Sequence, residues 1–150
     1  MNNIVSEPID IPAVIASVGT AGSGAIDVFV GTTRDNSRGR QVTSLEYEAY
    51  VPMAMKSMND IEQETRKRWN VHEINIVHRI GKVAIGEPSV VIAVSSAHRD
   101  EAFKACRYLI DRLKEVVPIW KREYYADGTF EWSMHSHDET GMDKVSETRV

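Results

Sequence analysis

The sequence predicts a mixed α+β domain in which helices and sheets form two packed layers. The first observation is the periodicity of apolar residues along the chain, which predicts in order a helix, a strand, a loop, a strand, a helix, several strands, a helix and a hairpin. The second is the length of 150 residues, which suits one domain that buries about 70% of its unfolded surface. Strands and helices do not alternate regularly, so a doubly wound nucleotide-binding fold is not expected. We therefore expect a single domain over residues 1–150.

Composition and charge narrow the class of protein. The chain is 42% hydrophobic and 27% charged, and its net charge of −4 argues against a general nucleic-acid or membrane binder. Cys106 is the only cysteine, so no intramolecular disulfide can form, which fits a reducing cytoplasm. The N-terminus lacks the pattern of a secretory signal, and no apolar stretch approaches the roughly 20 residues of a membrane span. We expect a cytoplasmic protein.

The first part of the chain predicts a short helix and then a strand. Asp10 can cap a helix that begins near Pro12, because proline is tolerated in a first turn. Gly19–Gly24 predicts a flexible linker instead of a phosphate loop, since its glycines precede the strand and no Gly-Lys-Ser/Thr follows. Ala25–Gly31 alternates as a strand. Phe29 lies on the face opposite the aliphatic residues, where it is either core from a second layer or the wall of a pocket.

A polar loop with three arginines is predicted over Thr32–Gln41. A guanidinium binds phosphate or carboxylate through paired hydrogen bonds, so a basic loop at a strand end can hold an anion. Arg34 lies closest to the strand end and is the candidate for a fixed role. For Arg38 and Arg40 we favour solvated positions.

The middle of the chain predicts a helix and four strands. Alternation over Val42–Tyr50 indicates a half-buried strand, with Val42 on the face opposite Leu45 and Tyr47. The elements that follow are a helix from Pro52 to about Trp69 and strands over Val71–Arg79, Lys82–Ile85 and Ser89–Ser95. The last strand is apolar nearly throughout, as expected of a central strand covered on both faces.

The stretch Ser95–Glu123 predicts one amphipathic helix that ends at a proline. Basic groups stand at both ends, with His98 and Arg99 before the helix and Lys121 after it. Lys114 falls just outside the apolar stripe. On the residues alone we favour an ordinary surface lysine there, and an ammonium at the edge of a cleft is the alternative.

The end of the chain predicts a hairpin over Tyr124–Met134, with a turn at Asp127 and Gly128. Residues from about 136 to 150 are polar and lack a core pattern. They are expected to form a flexible tail, or else an arm that is ordered only against a partner.

The sequence shows no pattern for metal or nucleophilic chemistry. His72 and His78 lack a neighbouring cysteine or carboxylate at metal-ligand spacing, and we treat them as structural. Cys106 lies inside the helix stripe and is expected to be a buried small hydrophobe. We therefore expect no metal and no cofactor. The basic groups that remain near strand and helix ends suit an anionic small molecule or an anionic carboxy-terminal peptide.

Five runs of sequence, taken in order, carry a resemblance to a known family. They are G-A-I-D-V-F-V-G-T-T-R (Gly24–Arg34), L-E-Y-E-A-Y (Leu45–Tyr50), H-R-I-G (His78–Gly81), S-A-H-R (Ser96–Arg99) and D-R-L-K-E-V-V-P-I-W-K-R-E (Asp111–Glu123). Each run is weak alone, but the ordered set is specific and extends over most of the chain. On these runs the sequence resembles the catalytic (large) subunit of molybdopterin synthase, the MoaE-like family.

The resemblance implies an α/β hammerhead-type fold with a small added antiparallel β subdomain. It also implies a homodimer that binds one small ubiquitin-like sulfur-carrier subunit at each end, which gives a heterotetramer. The carrier's Gly-Gly thiocarboxylate would thread into a pocket. The implied sulfurtransferase reaction converts cyclic pyranopterin monophosphate (precursor Z) to molybdopterin. Two sulfurs enter to build the dithiolene, and the cyclic phosphate opens.

Six residues match site positions of that family. Lys114 matches its essential lysine and Lys121 its second important lysine. The matches to substrate-binding positions are Arg34, His98, Arg99 and Phe29. An ammonium at such a site can stabilise the oxyanion that forms during attack at a thiocarboxylate. The resemblance leaves open whether Lys114 also forms a transient covalent adduct.

The C-terminal arm departs from the family pattern. In some relatives an arginine of this arm reaches across the dimer into the neighbouring site, but the position four after Trp132 is Ser136 here. Either a nearby side chain replaces that arginine, or the contact is absent. The candidates for replacement are His135, His137, Lys144 and Arg149.

Overall fold

The structure, a computed structural model, describes residues 1–134 of the chain. The helices of this part are α1 (Ile11–Ser17), α2 (Val51–Arg68) and α3 (Arg99–Val116). Its strands are β1 (Asn3–Val5), β2 (Ala25–Thr32), β3 (Asn36–Ser37), β4 (Arg40–Ala49), β5 (Ile74–Arg79), β6 (Gly81–Ala84), β7 (Pro88–Ser96), β8 (Ile119–Tyr125) and β9 (Phe130–Met134). These elements confirm the predicted mixed α+β fold. No helix in the described range is long and apolar enough to cross a membrane.

The helices form where periodicity and capping predict them. The Asp10 carboxylate accepts a hydrogen bond from the Ala13 N–H at 3.1 Å and caps α1, as predicted. In α2 the buried residues recur at helical spacing, as Ala54, Met58 and Ile61 do. Most of the apolar stripe of α3 is buried in the same way, although Phe103 is 56% exposed. The helix ends just before Pro118 as predicted.

Two sheets organise the strands. In the first sheet the order is β1-β5-β7-β2, with β7 antiparallel to both of its neighbours. The second sheet runs β3-β4-β8-β9, and β6 also pairs with β4. Residues Ser89–Ser96 of β7 are all buried, so the prediction of a central strand covered on both faces is confirmed.

A main core joins the second sheet, α2 and α3 to one face of the first sheet. Strand β7 contributes Val90, Ile92 and Val94 to this core. Its intervening residues Val91 and Ala93 face a smaller cluster under α1. Because alternate residues of a strand point to opposite faces, one apolar strand supplies both layers.

The arginine-rich segment after β2 is more ordered than the predicted loop. Strands β3 and β4 pair as a tight hairpin, with Ser37 opposite Arg40. The two turn residues are Arg38, with φ of 51°, and Gly39, with φ of 81°. Two consecutive positive φ angles are what a two-residue hairpin turn needs, because its twist then matches that of the strands.

Strand β4 contains an irregularity that alternation did not predict. The register with β8 shifts between Val42 and Ser44. As a result Val42 is buried together with Leu45 and Tyr47, and the prediction that it lies on the opposite face is wrong. A bulge places one extra residue in one strand, and it therefore returns the next side chain to the same face.

The C-terminal hairpin is longer than predicted. It begins at Ile119 instead of Tyr124, directly after the proline that ends α3, and its turn contains Gly128 with φ of 91°. Lys121 is therefore a strand residue. The buried face of β8 carries charged side chains, which hid this strand from a search for alternating apolar residues.

Candidate active site

A cavity of about 630 Å³ lies where β2, β4, β8 and the C-terminal end of α3 meet. Four of the six predicted site residues line it, namely Phe29, Arg34, Lys114 and Lys121. These residues come from distant parts of the sequence, and the packing of the second sheet against α3 and β2 brings them to one place.

The backbone fixes Arg34 beside the cavity. The preceding residue, Thr33, donates its N–H to the Glu87 carbonyl at 3.2 Å, and its own carbonyl accepts from the Gly86 N–H at 2.8 Å. This reciprocal pair ties the end of β2 to the turn before β7. The Arg34 side chain is exposed and lines the cavity, so its guanidinium is accessible to an anion there.

Phe29 forms a wall of the cavity and also packs against the main core. Both alternatives raised by the sequence therefore describe it. Its ring lies close over Gly31, where an added Cβ would stand 3.2 Å from Phe29 Cε2 and 2.7 Å from Val90 Cγ1. A glycine at this position lets the aromatic ring approach the strand.

Lys114 occupies the last turn of α3 and is half-buried. The negative end of the helix dipole favours a positive charge there. Lys114 also lines a second cavity of about 710 Å³ between β2 and α3, whose apolar lining includes Phe103 and Ile110. The lysine therefore stands at the junction of the two cavities, so the cleft-edge alternative describes its position and the surface alternative does not.

His78 lies close to this lysine and is fully buried. Its Nδ1–H donates to the Arg79 carbonyl at 2.8 Å, and its ring meets that of Tyr47 edge-on at 5.1 Å. Burial, and to a smaller extent the charge of Lys114, lower the pKa of His78 to about 4 although the Arg79 hydrogen bond opposes this shift. The imidazole is therefore neutral at neutral pH, with Nε2 as an acceptor.

Lys121 and Glu123 form a buried ion pair on the inner face of β8. Their residues are 7% and 6% exposed, and Lys121 Nζ lies 3.4 Å from Glu123 Oε2. Glu123 also lines the 630 Å³ cavity, and sequence reasoning did not select it. The i, i+2 spacing of the two charges on a strand would have placed them on one face, had β8 been predicted from Ile119 onward.

The cavity has an excess of positive charge. Arg34, Lys114 and Lys121 line it together with the carboxylate of Glu123. Such a set can bind an anion and stabilise negative charge that develops in a reaction. Among the described residues no group of three or more His, Cys, Asp and Glu side chains could hold a metal ion.

From the sequence, Arg38 and Arg40 were expected to be solvated, and Cys106 was expected to be buried and unreactive. The Arg40 side chain is 38% exposed, in line with a solvated position, and its guanidinium also stacks on the Tyr125 ring at 3.6 Å. Arg38 lines the 630 Å³ cavity. Cys106 lines the second cavity, and burial followed by the Asp27 carboxylate raises the pKa of its thiol to about 12. The thiol stays protonated, in agreement with the prediction that it is not a nucleophile.

His98 and Arg99 lie at the opposite end of α3 and are exposed. The helix rises by about 22 Å between Arg99 and Lys114, at 1.5 Å per residue. Neither residue lines the two cavities around Lys114. Within a single copy of the chain, His98 and Arg99 therefore do not share a pocket with Lys114, although the resemblance implies one site for all of these residues.

The predicted replacements for the cross-dimer arginine cannot be placed. His135, His137, Lys144 and Arg149 lie outside the described residues. The predicted tail over about 136–150 lies outside them as well.

Comparisons with known proteins bear on the family. The family model described as MoaE protein matches residues 4–116. A molybdopterin synthase catalytic subunit of Arabidopsis thaliana is 47% identical over 128 residues, which cover 85% of this chain and 64% of that protein. One of Drosophila erecta is 50% identical over 131 residues, which cover 86% of this chain and 36% of that protein. The chain thus spans less than two thirds of the length of these two relatives.

Solved structures show the same fold. The molybdopterin synthase structure from Staphylococcus aureus matches with a TM-score of 0.82 and 43% identity, over 87% of this chain and 94% of that chain. A chain from Helicobacter pylori, solved as a complex of subunits 1 and 2 of molybdopterin-converting factor, matches with a TM-score of 0.73 and 20% identity, over 88% and 89% of the two chains.

The family model and the relatives agree on the family, and each matches most of the chain. The 113-residue span from 4 to 116 runs from within β1 to the end of α3, and identity near one half extends over 85% of the chain. This chain therefore belongs to the MoaE family.

Proposed function

We propose that the chain is the catalytic subunit of a molybdopterin synthase, which converts cyclic pyranopterin monophosphate to molybdopterin with sulfur from a small carrier protein. The observation that carries this proposal is the convergence of Lys114, Lys121 and Arg34 on one cavity, in a chain whose relatives bear that name. The activity would belong to the cytoplasm, where the single thiol stays reduced.

The proposed reaction exchanges two oxygens of the substrate for two sulfurs and adds one water. Each carrier thiocarboxylate gives its sulfur to a substrate carbon and leaves as a carboxylate, because its acyl carbon takes an oxygen in return. Water opens the cyclic phosphate. Every transfer passes through a tetrahedral carbon with a negatively charged oxygen, and ammonium groups beside that oxygen stabilise it. Lys114 and Lys121 supply those groups, and Arg34 holds the phosphate.

The two cavities suit two ligands that meet at one lysine. Lys114 lines both the charged 630 Å³ cavity and the more apolar 710 Å³ cavity. A phosphate-bearing substrate can occupy the first, while the extended tail of a carrier approaches through the second. The Helicobacter pylori protein that shares this fold was solved with a partner subunit, which supports a carrier partner for this chain.

A homodimer would give His98 and Arg99 a role in the proposed reaction. They are about 22 Å of helix away from Lys114 in their own copy, so they can contact the same substrate only if a second copy supplies them. The outer face of β8 and β9 supports assembly, because it exposes Trp120, Phe130 and Trp132 around Arg122. Aromatic side chains and arginine are enriched at protein interfaces. With two carriers, the assembly would be a heterotetramer.

The test mixes the purified chain with cyclic pyranopterin monophosphate and a thiocarboxylated carrier, and detects molybdopterin by mass spectrometry. We expect product from the wild-type chain. For Lys114→Ala we expect turnover to fall about 100- to 1,000-fold, the usual effect of removing one oxyanion-stabilising group. Carrier affinity should stay close to that of the wild type.

Lys104→Ala is the matched control, since Lys104 lies on the same helix, is exposed and pairs with Asp100. Absence of product with a competent carrier would favour a scaffold that only binds the carrier's tail. A phosphate-ligand sensor built on Arg34 and His98 would bind the substrate without converting it. Full turnover by Lys114→Ala would remove the catalytic assignment of that lysine.

A further inference from the structure

The inner face of β8 carries a third polar residue beyond the Lys121–Glu123 pair. Tyr125 follows Glu123 at the next inward position and is 4% exposed. It does not line the cavity that holds Lys121 and Glu123. Any effect of Tyr125 on the site must therefore pass through a side chain that reaches the cavity.

Glu123 connects the tyrosine to the lysine. Its Oε2 faces Lys121 Nζ at 3.4 Å, and its Oε1 accepts the Tyr125 hydroxyl at 2.8 Å. Glu131 Oε1 is also within 3.3 Å of that hydroxyl, but a phenol has one proton to donate. The shorter contact to Glu123 is the buried one, where a hydrogen bond to a charged group is strongest.

Tyr125 is itself held rigidly. The Arg40 guanidinium stacks on its ring at 3.6 Å. Arg40 in turn donates to Thr129 at 2.9 Å and to Glu131 at 3.2 Å. Burial, and then the hydrogen bond to Glu123, raise the pKa of Tyr125, so the hydroxyl keeps its proton and remains a donor. The ring, its arginine and the hairpin turn together fix where the hydroxyl points.

We propose that Tyr125 is a positioning residue that orients the Glu123 carboxylate and thereby holds the Lys121 ammonium at the cavity. The proposal rests on the proposed function, in which Lys121 stabilises the oxyanion. Without the hydroxyl, Glu123 can turn about its last torsion, and the Lys121 ammonium leaves the place where charge develops. A displacement of this kind lowers turnover while leaving carrier and substrate affinity nearly unchanged.

The chain offers a matched pair of tyrosines for the test. Tyr125→Phe removes a 2.8 Å hydrogen bond to Glu123. Tyr124 lies on the outer face of the same strand, and Tyr124→Phe removes a 2.8 Å hydrogen bond to Glu46 of β4 together with the acceptor of a 2.7 Å hydrogen bond from Arg122. We expect turnover to fall about tenfold for Tyr125→Phe, as for loss of one hydrogen bond to a charged group. Tyr124→Phe should turn over like the wild type.

A double-mutant cycle shows whether Tyr125 acts through Glu123. Glu123→Gln should lower turnover about 100-fold, and Tyr125→Phe added to it should have less than a twofold further effect, because the carboxylate it orients is gone. A general structural role would instead give the product of the two single effects. That result, or wild-type turnover by Tyr125→Phe, would overturn the proposal. Absence of product from the wild type with a competent carrier would instead overturn the proposed function itself.

A spectroscopic readout covers the case in which Tyr125→Phe does not fold. A single 3-fluorotyrosine at position 125 keeps both the ring and the hydroxyl. Its ¹⁹F signal should shift when Glu123→Gln is introduced and stay unchanged when Glu46→Gln is introduced. An unchanged signal in the Glu123→Gln chain would show that the hydroxyl does not bind this carboxylate, and the proposal would be wrong.

Discussion

Strands β7 and β8 are both buried, but they are buried by different means. Strand β7 fills its buried positions with apolar side chains such as Val91, Ile92 and Ala93. The inner face of β8 carries Lys121 and Glu123 instead. An apolar strand gains free energy from removing carbon surface from water. Buried charges lose their hydration and must pair to offset that loss. A buried ion pair therefore adds little net stability. The comparison predicts that β7 serves the fold and that the charges of β8 serve the proposed site.

The largest expected effect on stability comes from breaking the buried Lys121–Glu123 ion pair. Lys121→Met leaves the Glu123 carboxylate buried without the ammonium that lies 3.4 Å away. We expect the free energy of unfolding to fall by about 3–5 kcal/mol. Adding Glu123→Leu should recover most of that loss, because an apolar pair of similar volume needs no compensation. Urea unfolding measures both changes.

Turnover completes this test of the comparison. The Lys121→Met/Glu123→Leu chain should be stable but inactive, whereas Ile92→Val in β7 should lose about 1 kcal/mol and keep its turnover. An active double variant would show that the β8 charges serve the fold after all.

These two strands also show how far sequence reasoning reaches. Strand β7 was predicted because a continuous apolar run indicates a buried strand. Helix α3 was predicted because its apolar residues recur at helical spacing. Strand β8 was missed before Tyr124, since its buried face carries charges whose partners lie on the same strand. A local pattern cannot show that two charges are buried together.

The candidate site was predicted only in part, because a local pattern also cannot show which residues the fold brings together. Arg34 was selected from its place at the strand end, whereas Lys114 came from the resemblance, because the residues alone favoured a surface lysine. Only the packing of α3 against β2 places Lys114 between two cavities. The sequence alone could have separated His98 from Lys114. An α-helix rises by about 1.5 Å per residue, which places the two residues more than roughly 20 Å apart.

The next prediction concerns a buried ionisable group that stays neutral. His78 lies on β5 opposite Val90 of β7, and its pKa is lowered from 6.5 to about 4, mainly by burial. The unfolded chain therefore binds a proton in a pH range where the folded chain does not. Stability should fall as the pH drops from about 6.5 to about 4, by about 3 kcal/mol from this group.

Comparison with His78→Gln isolates this contribution, because glutamine can still donate to the Arg79 carbonyl but does not titrate. The difference in free energy of unfolding between the two chains, measured in urea at several pH values, should change across this window and level off above pH of about 7. A constant difference would mean that folding does not change the pKa of His78, and a difference of opposite slope would mean that the imidazole is protonated in the folded chain.

The smallest expected effect lies where the apolar sheet meets the cavity. Gly31 pairs with Val90, and a methyl group added there would stand 2.7 Å from Val90 Cγ1 and 3.2 Å from Phe29 Cε2. Gly31→Ala should cost about 1–3 kcal/mol of stability through overpacking. It should also lower turnover, because the ring that yields is the cavity wall. Gly22→Ala is the control, since its nearest neighbour would be 3.8 Å away. Lost stability with unchanged turnover would show that the first sheet supports the site without shaping it.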